Sequence, residues 1–215
     1  MEKFFYKSIQ TPIEFEIPKI KWSRFIGNVF HVNDKLHAEE KIAEISNKYH
    51  DATHNCFAYT YGANLNFDLF GNINITPDYF KVSDDGEPSN TAWKPILSLI
   101  QWYDLHNVVI IVTRYFWWTL LWVWWLIQAY SECAKQTILH SDIVEIELTE
   151  QKSIEFWYDQ MSIVMNLLNK YWAKIINEQH WDFAKMIFEI NKWYTDSFSK
   201  EIFDQSKWNI VTKSA

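Results

Sequence analysis

Tryptophan stands in this chain where turns call for glycine. The stretch RYFWWTLLWVWWLIQAY, residues 114–130, holds five of the 13 tryptophans, and the whole chain has only four glycines. Ordinary usage would give about 15 glycines at this length. Trp93 comes two residues before Pro95, and Trp172 falls where a helical run gives way to a strand run in LLNKYWAKII. Trp181 lies between two alternating runs in NEQHWDFAKMIFEI, a hairpin position, and Trp193 and Trp208 mark further strand–helix junctions. Helix ends and tight hairpins want left-handed backbone, which glycine adopts freely and a bulky side chain does not. Order returns if most or all of these tryptophans are glycine in the working protein. That would follow if UGA codons read as glycine in the cell were written out as tryptophan. Gly27, Gly62, Gly71 and Gly86 are then ordinary glycine codons, and a basic set of 18 Lys to two Arg suits an AT-rich genome. The alternative is that the tryptophans are genuine, or engineered.

Residues 107–130 carry a single charge, Arg114, and are long enough to span a bilayer. The pattern argues otherwise. Tryptophan belongs at the interfaces of a membrane helix, not through its middle, and Arg114 would sit deep inside the span. The expectation is no membrane segment. The first 19 residues alternate charge with aromatic residues and have no apolar signal core. Cys56 and Cys133 form neither a disulfide framework nor a metal-spaced pair, so a cytoplasmic location is expected. The net charge of −7 comes from residues 1–150, with 12 basic against 19 acidic side chains; residues 151–215 balance at eight each. Bulk charge thus speaks against non-specific nucleic-acid binding and leaves room for a local basic patch.

Four stretches stand out in order: SRFIG (23–27), ATHNCFAY (52–59), SDDGEPSNTA (83–92) and VTRYFWWTLLWVWWLIQAY (112–130). With glycine in place of tryptophan they resemble the YigZ/IMPACT family over about residues 10–140. The systematic departure is of one kind, glycine to tryptophan, at Trp22, Trp93, Trp102, Trp117, Trp118, Trp122, Trp124 and Trp125. The resemblance implies an α+β chain. Residues 1–140 would form a domain similar to the second domain of ribosomal protein S-five. Residues 141–215 would form a ferredoxin-like domain similar to domain V of elongation factor G. The residues point the same way. From about residue 142 the runs read strand, helix (158–171), strand (173–180), strand (183–191), helix (194–204), strand (209–213), a βαββαβ order. Met161, Val164, Met165 and Leu168 give the helix an apolar stripe. Upstream, strands are predicted over 13–20, 23–32 and 53–61, with a helix capped by Asp34 running to Tyr49. A hairpin-like stretch covers 62–80, a helix 91–100 and a further helix 125–139. NVVIIVT (107–113) has the unbroken apolar character of a central strand.

Three places could carry chemistry. Restoring glycine turns residues 114–130 into a strand end, a glycine-rich loop and a helix start. Such a loop can bring backbone N–H groups to an anion, and Arg114 could grip a phosphate. Equally, the glycines would serve close packing and Arg114 would pair with an acidic neighbour such as Asp85. In SDDGEPSNTA, Asp84, Asp85 and Glu87 could meet His54 around a divalent metal. The plainer reading is a turn, with Ser89 and Thr91 capping the next helix. No metal ligand spacing is present, and no cofactor is expected. On a strand, His54, Cys56 and Ala58 share one face, and Asn55, Phe57 and Tyr59 the other. A packed cysteine and a hydrogen-bonded histidine fit that better than a Cys–His nucleophile pair.

The resemblance implies translation-linked regulation, through protein partners in eukaryotic members and through nucleic acid or the ribosome in bacterial ones. The expectation is a non-enzymatic binding protein. Its face would group Arg24, His54, Asn55, Asp84, Asp85, Glu87, Thr91, Arg114, Tyr115, Phe116, Trp117, Trp118 and Thr119. The partner would be RNA, the ribosome or a translation-regulatory protein. The competing reading is a hydrolase or other enzyme on a phosphorylated or peptide substrate, with His54, Asp85 and Glu87 as acid–base groups.

Overall fold

The computed structural model describes residues 4–67, 69, 73–116, 121–180 and 182–214. The chain divides into two compact units, Tyr6–Ile146 and a second formed by Glu147–Ala215 with Met1–Phe5. The first unit runs β1 (Phe5–Ile9), β2 (Ile13–Glu16), β3 (Arg24–His31), α1 (Lys35–Lys48), β4 (His54–Phe67) and β5 (Ile73–Ser83). It continues through α2 (Trp93–Trp102), β6 (Val108–Tyr115), α3 (Val123–Leu139) and β7 (Ile143–Glu147). Five of these strands make one antiparallel sheet in the order β2-β3-β6-β4-β5, and β1 pairs with β7.

β6 is the central strand because its apolar run is buried on both faces. Val108, Ile110 and Val112 join Phe25, Val29, Cys56 and Ala58 in a core under α2 and α3. Val109 and Ile111 join Phe30 and Tyr59 in a second core under α1. α1 starts where the sequence placed it: the Asp34 carboxylate accepts the His37 N–H at 2.8 Å. α2 is capped differently from expectation. Asp84 Oδ1 accepts the N–H groups of Ala92 and Trp93, each at 3.0 Å, whereas Thr91 Oγ1 donates to Pro88 O and Ser89 makes no such cap. An aspartate anchored eight residues back satisfies those first-turn donors and leaves the nearer hydroxyls to the turn. The stretch expected as hairpin-like is the β4–β5 hairpin; its residues 68 and 70–72 lie outside the described residues.

α3 lies close on β3. A Cβ added at Gly27 would fall on Thr137 Oγ1 and stand 3.3 Å from Cys133 Sγ. Gly27→Ala is therefore expected to cost about 1–3 kcal/mol by overpacking. Thr137→Ala in the same chain should return part of it, as read by urea unfolding. A substitution without effect would mean that α3 is free to lift.

The second unit contains β8 (Thr149–Phe156), α4 (Met161–Lys170), β9 (Lys174–His180), β10 (Ala184–Asn191), α5 (Thr195–Gln205) and β11 (Lys213–Ser214). Its antiparallel sheet has the order β11-β8-β10-β9, so the unit is a ferredoxin-like βαββαβ. The strand expected from about residue 142 splits into β7, which pairs with β1, and β8, which opens this unit. On α4 the buried residues are Val164, Leu167 and Leu168, with Met161 and Met165 half-buried beside them. The core is completed by Ile154, Phe156, Met186, Phe188, Phe198 and Ile202.

Candidate functional site at the end of β6

The register across β3, β6 and β4 sets the site. Phe25, Arg114 and His54 stand in one row, and Arg24 faces Tyr115 in the next. Neighbouring residues of a strand point to opposite faces. Phe25, Arg114 and His54 therefore lie on the α2–α3 face, and Arg24, Tyr115, Thr113 and Asn55 on the α1 face. The single binding face expected from the sequence is thus two faces that meet at one end of the sheet.

Arg114 is buried and its charge is matched. Its Nη1 donates to Glu87 Oε1 at 2.6 Å, with both side chains about 3% exposed. Nη2 donates to Ser23 Oγ at 3.3 Å. The Tyr130 hydroxyl donates to the same Glu87 oxygen at 2.8 Å. The guanidinium lies 5.6 Å from the Phe25 ring and 4.7 Å from the Phe116 ring. Of the two roles left open for Arg114, the ion pair is the one built. Its partner is Glu87 rather than Asp85, whose carboxylate is taken by the Asn55 N–H at 2.6 Å. Asp84 is consumed by the α2 cap and by the Asn90 N–H. All three carboxylates of the turn thus have partners inside the protein. Asp85 and Gly86 sit at φ of +45° and +87°, which brings the turn back over β4.

His54 is held through Nδ1, which donates to Asp85 O at 2.7 Å, and its Nε2 lies 3.8 Å from Glu87 Oε1. Its ring is parallel to Phe116 at 6.2 Å. Cys56 lies buried between Asp84 O and Tyr130, and burial pushes its thiol well above the ordinary range, which leaves no thiolate for attack. On the other face Arg24 makes a two-pronged pair with Glu16 at 2.8 Å and lies 5.6 Å from the Tyr115 ring. Burial, then a hydrogen bond given to Asp51, pushes the Tyr115 phenol up to about 12. Asn55 accepts from Thr113 at 2.7 Å. Trp117, Trp118 and Thr119 lie outside the described residues.

Sequence reasoning missed Ser23 and Tyr130. Tyr130 was detectable: it falls on the buried stripe of α3 with Leu126, Cys133 and Thr137, and a buried phenol needs a hydrogen-bond partner. Ser23 opens the SRFIG motif, the one signal that could have found it.

Residues 21–138, which supply nearly all of this arrangement, match the family description "Impact N-terminal domain". The chain belongs to the IMPACT family. It is 28% identical to an IMPACT family member of Haemophilus influenzae over 205 residues, 94% of this chain and 93% of that protein. It is 25% identical to the IMPACT family member YigZ of Escherichia coli over 194 residues, 90% of each chain. A crystal structure described as that of a hypothetical protein shares the fold, with a TM-score of 0.68 and 23% identity across all of this chain and 98% of its own. In this IMPACT-family chain the motif residues Arg114, Glu87 and His54 come together, while Arg24 stays on the far side of the sheet. Among the described residues, no helix is long and apolar enough to cross a membrane.

Proposed function

We propose that the chain is a non-enzymatic binding protein acting in translation, with RNA of the ribosome as partner, and that it makes contact at the end of β6. The observation that carries this reading is the commitment of the charged groups. Asp84, Asp85 and Glu87 are held by backbone N–H groups or by Arg114, so they frame the site and do not act as acids, bases or metal ligands. What remains half-exposed there is planar: His54, Tyr115, Phe116 and the guanidinium of Arg24. Planar rings beside cations stack on unpaired bases with little regard to sequence. Asn55, Thr91 and Arg114 hold this surface in place. The enzymatic reading would need a free carboxylate near His54 Nε2, and the nearest, Glu87, already accepts from Arg114 and Tyr130. Localisation in the cytoplasm follows from the partner.

The test is a titration of the full chain with single-stranded ribosomal RNA fragments at two salt concentrations. Affinity should fall steeply as salt rises. Tyr115→Ala and Phe116→Ala should each weaken binding by about 1–3 kcal/mol, roughly 5- to 150-fold. Affinity that is absent, or unmoved by salt and by both substitutions, would overturn the RNA reading and leave a protein partner.

A further inference from the structure

Three tryptophans have backbone that an indole-bearing residue rarely adopts. Trp22 has φ +70°, Trp172 +50° and Trp208 +70°. Each sits in a motif whose hydrogen bonds define the position. Ile20 and Ser23 exchange both backbone hydrogen bonds, at 2.9 and 3.0 Å, so Lys21 and Trp22 are the two central residues of a tight hairpin. Both have positive φ, the pattern in which the second place favours glycine. At the end of α4 the Trp172 N–H donates to Asn169 O and the Ala173 N–H to Leu168 O, at 3.2 and 2.9 Å. That is a Schellman ending with Trp172 at C′, the position that most favours glycine. After α5 the Lys207 N–H donates to Asp204 O at 3.2 Å and the Trp208 N–H to Phe203 O at 2.8 Å, a Schellman ending with Lys207 at C′ and Trp208, itself at φ +70°, at C″.

The side chains gain nothing in return. They are 77%, 65% and 73% exposed, although tryptophan is highly buried on average. The other left-handed positions show the contrast. Asp85, Asn90, Asp104 and Asn107 are of the two types that tolerate this region, and Lys21 and Lys207 each precede one of the tryptophans. Gly62 and Gly86 are themselves at positive φ.

We infer that the polypeptide made in the source cell carries glycine at positions 22, 172 and 208. This rests on backbone geometry and is independent of the RNA reading. Two measurements test it. Peptide mass spectrometry of the protein isolated from source cells should show glycine at all three positions; tryptophan at any of them overturns the inference. In the full chain, Trp172→Gly should raise the Tm of the second unit by about 4–16 °C, since a left-handed non-glycine residue costs about 1–2 kcal/mol. Trp172→Ala should gain less, because alanine keeps the Cβ clash. Alanine matching glycine, or tryptophan equalling both, would overturn it from the stability side.

Discussion

Arg114→Met is expected to destabilise the Tyr6–Ile146 unit by about 3–5 kcal/mol, because it leaves the Glu87 carboxylate buried without its cation. Tyr130 would still donate to that oxygen, but one neutral hydroxyl does not replace a guanidinium 2.6 Å away. The second half of the cycle isolates the cause. Adding Glu87→Gln should restore much of the loss, since neither charge is then stranded. Denaturant unfolding of the two single variants and the double gives the coupling. If the double variant falls by the sum of the singles, the pair acts separately and the network as described is wrong. The cycle also bears on function. If the pair is a frame, a folded double variant should retain RNA affinity within a few fold.

Phe188→Ala should be as costly, about 3–5 kcal/mol, but in the smaller unit. Phe188 is fully buried on β10, with its ring 5.0 Å from that of Phe198 on α5. A unit of this size carries on the order of 5 kcal/mol in total, so the change should consume most of it. Amide exchange across β8 and β10 should then speed up toward the unprotected rate. Phe183→Ala, at a ring that is 38% exposed, should change stability by less than about 0.5 kcal/mol. Comparable losses from both would mean that the core is not organised around the β10–α5 contact.

Local pattern carried much of the architecture. The Asp34 cap, the unbroken apolar run of β6 and the βαββαβ order are all written within windows of a few residues. β1 was invisible because its partners are remote: the ribbon it forms needs β7, more than 130 residues on. The choice of Glu87 over Asp85 for Arg114 was hidden for a related reason. It depends on how the Asp85–Gly86 turn folds back, which no spacing encodes. The split between Arg24 and Arg114 was legible only in part. Alternation puts Arg24 opposite Phe25, and the β3–β6 register then puts Arg114 beside Phe25. The two arginines were grouped because both lie inside family motifs, and the pleat separates them.

The second unit is discontinuous. Leu148 N–H donates to Phe4 O, and the Phe4 ring packs 4.8 Å from Trp193, so part of that unit lies at the start of the chain and the rest near its end. During synthesis the first piece leaves the ribosome on the order of ten seconds before its partners are made. The whole central sheet can form in that interval while Phe4 waits. A fragment beginning at residue 147 would be translated without that early piece, so dissecting this protein by simple truncation removes an aromatic contact from the very domain it is meant to isolate.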